Sequence, residues 1–365
     1  MQEELERRLE AVRETMRRRG IDHLLVGPST DLVYLSGFAV APSERLTMLI
    51  VAQEGTPRLV MPDFELPAVA ELPPVFEPVP WSDGDDAAAP VAKLLPGGAP
   101  LVAVSGQTHA RVRFALEAAA PRARWTDGDA VLAPARMRKS PCEIGALRQA
   151  SCVADAVLGE IAGWDVVGMT ERELVDAIRA RLTDHGNDAT GSGLAAFGAN
   201  TAAPHHVPGD RRATAGDAVI VDFGGRHRHY RADVTRTFHM QRQPSAELRR
   251  AYEAVREANE LAFERVRPGV PAEAIDAAAR EHLVRAGYGE RFVHRTGHGI
   301  GLDVHEPPYI VAGNETRLEE GMAFTIEPGV YVAGAFGVRI EDVVLVTATG
   351  AERLNAHPRE LTILG

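Results

Sequence analysis

The chain has 365 residues, 45% hydrophobic and 25% charged, an ordinary balance for a folded protein long enough to build two cores. Its 40 Lys and Arg stand against 51 Asp and Glu, a net charge of −11 that excludes a broad basic surface for nucleic acid or a polybasic membrane anchor. No apolar run approaches the ~18 residues of a membrane span, no cationic segment with an apolar run behind it opens the chain, and Cys142 and Cys152 are too few for a disulfide framework or a thiolate metal site, so a cytoplasmic protein is expected.

In chain order, residues 1–19 predict a helix with apolar positions Leu5, Leu9, Val12 and Met16, ended by Gly20. Short apolar runs at His23–Val26, Val33–Leu35, Met48–Val51 and Leu59–Met61 then predict strands with tight connections. The proline-rich stretch 67–99 predicts loop, Leu101–Val104 another strand, and 109–119 a helix. Residues 1–135 therefore read as an α/β domain without site chemistry of its own. At the boundary, Ser140 is a candidate N-cap, Pro141 occupies the first turn and Glu143 completes a capping box. Helices are expected over about 141–162 and 170–185, strands at Ala218–Phe223 and Asp233–Met240, and a helix pair over about 245–286. Beyond residue 290 the chain returns to strands and turns dense in Gly, His and acids.

Three segments in residues 136–365 carry chemistry. Asp222 closes the run Val219–Val221 and Asp233 opens the next strand; paired as a hairpin, both carboxylates can face one pocket, although either Asp alone could simply cap a turn. His294, His298 and His305 cluster among glycines that permit close backbone approach. Glu327 closes a third apolar run, and Glu341 sits in apolar surroundings where an unpaired carboxylate is costly, with Arg339 as the candidate structural partner. Two Asp, two Glu and one His form an oxygen-rich set with one nitrogen donor, suited to Mn²⁺, Co²⁺, Zn²⁺ or Fe²⁺. Four carboxylates can balance two divalent cations, and such a pair supplies a nucleophilic water near neutral pH. The His-Glu-x-x-His pattern of single-zinc peptidases is absent.

The flanking stretches Asp222-Phe223-Gly224, Thr235-Arg236-Thr237, Gly297-His298-Gly299-Ile300-Gly301, Ile326-Glu327-Pro328-Gly329 and Arg339-Ile340-Glu341-Asp342 resemble the pita-bread metallopeptidases, above all their Xaa-Pro dipeptidases (prolidases) and Xaa-Pro aminopeptidases. The resemblance spans nearly the whole chain. It implies an α+β protein in which a pita-bread (creatinase/aminopeptidase-like) catalytic domain over 136–365 follows a smaller creatinase-like α/β domain over 1–135. It implies Asp222, Asp233, His298, Glu327 and Glu341 as ligands of two divalent metal ions, with Mn²⁺ expected. His205, His294, His305, Arg339 and Tyr230 correspond to substrate-side residues, with His206 the less favoured neighbour of His205. His294, His305, Glu327 and Arg339 correspond to residues assisting catalysis. Arg231-Ala232 departs from the usual texture before the second Asp, which puts the lining beside Asp233 in question. The implied activity is hydrolysis of the bond before proline, in dipeptides (prolidase) ahead of longer peptides (aminopeptidase P), by a homodimer. Methionine aminopeptidase lacks such an N-terminal domain, and creatine amidinohydrolase or a silent binding module would have lost the ligands.

Overall fold

The computed structural model describes residues 1–187 and 189–365. The chain divides into two compact units, Met1–Arg136 and Met137–Gly365.

In the first unit, α1 (Gln2–Arg19) buries Leu5, Leu9, Val12 and Met16 on one stripe and ends at Gly20, whose φ of 64° is the left-handed cap the sequence calls for. A six-stranded sheet in the order β4-β3-β2-β1-β5-β6 is built from β1 (His23–Val26), β2 (Met48–Ala52), β3 (Arg58–Pro62), β4 (Glu77–Trp81), β5 (Leu101–Val104) and β6 (Arg124–Asp127). Between the strands run α2 (Thr30–Ser36), α3 (Leu66–Val69), α4 (Ala88–Leu94) and α5 (Ala110–Ala119), and α6 (Asp129–Met137) follows β6.

Two expectations fail here. Val33–Leu35 lies inside α2 and forms no strand: Ser29 caps the segment by accepting from Leu32 N, and this N-terminal signal overrides the short apolar run. The stretch 67–99 is not all loop, because it holds β4 and α4. Pro78 and Pro80 sit on an edge strand two residues apart, so both missing N–H groups point away from β3 while Glu77 N donates to Pro57 O.

In the second unit, α7 (Pro141–Ile161) begins with the complete capping box of Ser140 and Glu143. Together with α8 (Glu171–Asp184) it packs apolar side chains on a sheet ordered β18-β10-β8-β7. The strands are β7 (Ala189–Phe197), β8 (Ala218–His227), β10 (Val234–Met240) and β18 (Thr362–Leu364), with β9 (Tyr230–Arg231) paired to β8. Helices α9 (Ala246–Arg265) and α10 (Ala272–Arg285) pack on a second sheet, β12-β11-β13-β16-β17. It comprises β11 (Gly297–Gly299), β12 (Glu306–Ile310), β13 (Ala323–Ile326), β16 (Asp342–Val346) and β17 (Ala351–Arg353), beside the ribbon β14 (Gly329–Val332) and β15 (Phe336–Arg339). Among the described residues, no helix is long and apolar enough to cross a membrane.

A buried ionic network ties this unit together. Asp342, wholly buried, accepts from Arg236 Nη2 at 2.7 Å and from Arg359 Nε at 2.7 Å, while Arg236 also donates to the carbonyls of Glu341, His357 and Pro358. Asp342→Ala leaves a buried guanidinium without its counter-charge and should cost about 3–5 kcal/mol in urea unfolding. A loss below about 1 kcal/mol would show that the backbone acceptors alone satisfy Arg236.

Candidate metal centre

Strand register gathers the candidate acids. Thr235 on β10 lies directly opposite Asp222 on β8, and Asp233, two residues before Thr235, shares its face by strand alternation. The strands close this tightly because position 224 is Gly: a Cβ there would lie 1.7 Å from Ala232 O. On the second sheet the pair Ile326–Asp342 sets Glu327 and Glu341 side by side, just beyond paired strand ends. His298 is the middle residue of β11, where a Cβ on the preceding Gly297 would meet Thr325 O at 1.8 Å. An antiparallel bridge between Thr235 and Glu341 then joins the two halves, with Glu341 N donating to Thr235 O at 3.1 Å.

The result is a cavity of about 590 Å³ lined by Asp222, Asp233, His298, Glu327 and Glu341, by His205, His294, His305 and Arg339, and by Gly193, Leu194, Pro204, His206, Arg295 and Val304. Three donor sets each lie within 4.8 Å: Asp222, Asp233 and Glu341; His298, Glu327 and Glu341; and Asp233, His298 and His305. His298 Nε2 is 3.3 Å from Glu327 Oε1 and 3.7 Å from Asp233 Oδ2. The first two sets share Glu341 and offer oxygen with one imidazole, a donor chemistry that fits two hard or borderline divalent cations. The third set adds His305, which the sequence reading places on the substrate side.

Arg339 is the buried cation of the site, but its partner is not the one expected. Its Nη2 donates to Asp222 Oδ2 at 2.5 Å, and its Nε reaches Thr235 Oγ1 at 3.2 Å, whose hydroxyl in turn donates to Glu341 Oε2 at 2.6 Å. Arg339 and Glu341 do not share a strand face, because β15 ends at Arg339 and β16 starts after Glu341. Tyr230 also differs from expectation: it does not line the cavity, and its hydroxyl donates to Glu143 Oε1 at 2.7 Å. Position 230 lies on β9, where its ring is buried and tied to α7.

Both histidines of the 204–206 stretch line the cavity. His206 is held at 2.7 Å from Glu171 Oε2, and this buried carboxylate also accepts from Phe197 N, Asn200 Nδ2 and Gly209 N, fixing the loop that carries His205. Sequence reasoning missed two residues. Tyr331 OH accepts from Arg339 Nη1 at 2.9 Å and donates to His294 Nε2 at 2.8 Å, since His294 Nδ1, facing Arg295 O at 2.7 Å, must carry that ring's proton. Arg295 lines the cavity with its guanidinium 4.5 Å above the Tyr309 ring. Its signal was a cation inside the histidine cluster; Tyr331 had none beyond its nearness to Glu327.

Burial controls the ionisation. Desolvation, reinforced by Asp222 and Glu327, raises Asp233 well above the ordinary carboxylate value, and desolvation with Asp233 and Glu327 does the same to Glu341. Glu327 is pushed up to about 7 by desolvation, with Arg339 opposing and Asp222 reinforcing the rise. Desolvation lowers His298 to about 3 and His294 to about 4, and lowers His305 as well, so the imidazoles are neutral near pH 7. The metal-free fold thus keeps carboxyl protons that the unfolded chain has released, a contribution to stability that is lost as pH rises through about 7, whereas below about 6.5 the histidines held neutral act in the opposite sense. A bound cation takes the place of those protons, so Mn²⁺ should raise the melting temperature more at about pH 8 than at about pH 5.5. Thermal unfolding with chelator and with Mn²⁺ at both pH values checks this; equal shifts would mean that the acids do not bind the metal.

Known proteins bear on this arrangement. Residues 145–348 match metallopeptidase family M24, and residues 8–138 match the creatinase/prolidase N-terminal domain. A probable dipeptidase PepE of Mycobacterium tuberculosis is 40% identical over 351 residues, covering 94% of this chain and 92% of that protein. The crystal structure of dipeptidase PepE from Mycobacterium ulcerans superposes with a TM-score of 0.95 at 39% identity, over 100% of this chain and 98% of that one. The prolidase of Thermococcus sibiricus gives 0.94 at 36% identity, over 98% and 99%. With its two-part fold and its acid- and histidine-lined cavity, the chain belongs to metallopeptidase family M24, a pita-bread catalytic domain preceded by a creatinase/prolidase-type N-terminal domain.

Proposed function

We propose that this metallopeptidase hydrolyses the bond before proline in Xaa-Pro dipeptides with two divalent cations, Mn²⁺ foremost and Co²⁺, Zn²⁺ or Fe²⁺ as alternatives. The observation that carries the reading is one cavity that joins the acid and histidine donors to a cation, Arg295, that makes no ion-pair contact among the described residues although its charge is felt at Glu327. Asp222, Asp233 and Glu341 would hold one ion, and His298, Glu327 and Glu341 the other. When bound, the pair would supply Lewis acidity at the scissile carbonyl and an acidified water.

The chain's own groups do the rest. Glu327, which lines the cavity beside His298, takes a proton from the attacking water and returns it to the proline nitrogen as the bond breaks. His305 faces the cavity and donates a hydrogen bond to the developing oxyanion. His294 acts through Tyr331, which with Arg339 holds Asp222 and the Pro204 carbonyl in place. His205 lies where it can border the substrate backbone, and Leu194 and Val304 give the cavity its apolar wall.

Substrate length turns on Arg295. An Xaa-Pro dipeptide carries its carboxylate immediately past the scissile bond, where a longer peptide offers a neutral amide. A cation in the cavity therefore favours the dipeptide over the aminopeptidase P alternative, which would act on longer chains. A cytoplasmic homodimer completes the proposal, with light scattering as the check of assembly.

Metal-stripped protein should recover hydrolysis of Ala-Pro when Mn²⁺ is restored and leave Ala-Pro-Pro nearly untouched; preferential cleavage of the tripeptide would establish the aminopeptidase instead. Glu341→Ala removes the carboxylate common to both donor sets and should lower kcat by roughly 1,000-fold or more, so unchanged turnover would sink the scheme. Arg295→Met should raise KM for Ala-Pro about tenfold through loss of a charge-assisted contact. If KM for Ala-Pro does not rise, Arg295 does not read the carboxylate.

A further inference from the structure

We propose that Asn259, a residue outside the cavity, sets the spacing of Glu327 and Glu341 and thereby the affinity of the site for its divalent cations. The inference rests on the metallopeptidase reading above. Asn259 lies in the interior of α9 and is wholly buried. Asparagine is a poor helix former, and burying its amide is costly unless its polar atoms find partners. Here both do: Nδ2 donates to Ile326 O at 2.9 Å and to Ile340 O at 3.3 Å, while Oδ1 accepts from Arg353 Nη2 at 3.2 Å.

Those two carbonyls belong to the peptide planes that lead directly into Glu327 and Glu341. Each plane is also held at its other end, because Glu327 N donates to Thr296 O at 2.7 Å and Glu341 N donates to Thr235 O at 3.1 Å. A rigid peptide plane pinned at both its oxygen and its N–H cannot swing, so the direction in which the following side chain leaves the backbone is fixed. Because one nitrogen serves both planes, the separation of the two glutamate backbones is set by the two hydrogens of a single amide. The restraint acts where it is needed. Glu327 and Glu341 belong to one donor set with His298, and two carboxylates at that range repel each other when both are ionised. Arg353 fixes the amide's orientation from behind, its guanidinium 3.7 Å from the Phe263 ring centroid and 2.9 Å from Glu260.

The test is calorimetric titration of Mn²⁺ into metal-stripped parent, Asn259→Ser and Asn259→Asp, with paramagnetic resonance of the loaded proteins. Asn259→Ser is expected to weaken Mn²⁺ binding roughly 10- to 100-fold, the usual effect of losing a group that orients ligands, and to lose the spin-coupled signal of a closely spaced metal pair. Asn259→Asp, which turns oxygen towards both carbonyls, should weaken binding at least as much. Val255→Ala, a core truncation one turn earlier on α9, should lower the melting temperature of the metal-free protein yet leave affinity within about twofold. Asn259→Ser that binds as tightly as the parent, or Val255→Ala that loses affinity equally, overturns the proposal. Should the Asn259 variants not fold, Arg353→Met decides: it keeps the amide but frees its Oδ1, and unchanged affinity there counts against the clamp. A parent protein that binds no Mn²⁺ overturns the metallopeptidase reading itself.

Discussion

Four carboxylates crowd one cavity around the buried Arg339, and the rest of the site is arranged about their mutual repulsion. At an effective dielectric of about 20, two unit charges about 5 Å apart repel by roughly 3 kcal/mol, and several such pairs meet here. Arg339 offsets part of that cost through Asp222, and the Thr235 hydroxyl softens more of it at Glu341. The remainder appears as carboxyl groups that keep their protons well above the ordinary range. A site that is unfavourable when empty of charge compensation is one that favours divalent cations, and the same desolvation that penalises the acids holds the neighbouring imidazoles neutral and able to donate electron pairs.

Holding such a cluster together demands a stiff frame, and the frame is made largely of buried polar side chains gripping backbone. Asp276 on α10, itself paired with Arg280, accepts from Thr296 N and Oγ1, and Thr296 O receives Glu327 N. Lys139, one of two lysines in the chain, meets Glu306 at 2.7 Å in a fully buried pair, and Glu306 accepts from Asp303 N, shaping the loop that carries Val304 and His305. Glu171 does the same for the loop with His205, and Asn259 for the strand ends before Glu327 and Glu341. Asp276, Glu171 and Asn259 each reach from a helix to backbone near a cavity residue, whereas Lys139 acts through the carboxylate of Glu306 on β12. The lining is therefore positioned by peptide planes held from behind as well as by contacts among its own side chains, such as Arg339 with Asp222. That arrangement leaves the lining free to engage ions and substrate.

Much of this was legible in the linear chain. Helical spacing and caps located α1 and α7 to within a residue or two, because helix ends are written in local chemistry such as Gly20 and Ser140. Acids at the ends of apolar runs, and histidines set among glycines, named the cavity's four carboxylates and His294, His298 and His305, while the family resemblance added His205 and His206. Such residues are conspicuous because placing them at strand ends has a cost that only a site repays. Local signals also misled. Val33–Leu35 has the composition of a strand yet folds as helix under a serine cap, and prolines that suggested loop occupy an edge strand whose outward N–H positions they fill.

The sequence by itself determined the helix boundaries, which depend on neighbours close along the chain, and it supplied the acids and histidines that the cavity gathers. Only the tertiary structure decided who meets whom. Arg339 pairs with Asp222, more than 100 positions away in the chain, rather than with Glu341 two residues on; Tyr230 turns to Glu143 instead of the cavity; and Arg295 and Tyr331 face into the cavity or its hydrogen-bond chain. These partnerships follow from strand register and from which ribbon a residue joins. Register is fixed by the packing of whole sheets, a property that no short stretch of sequence carries.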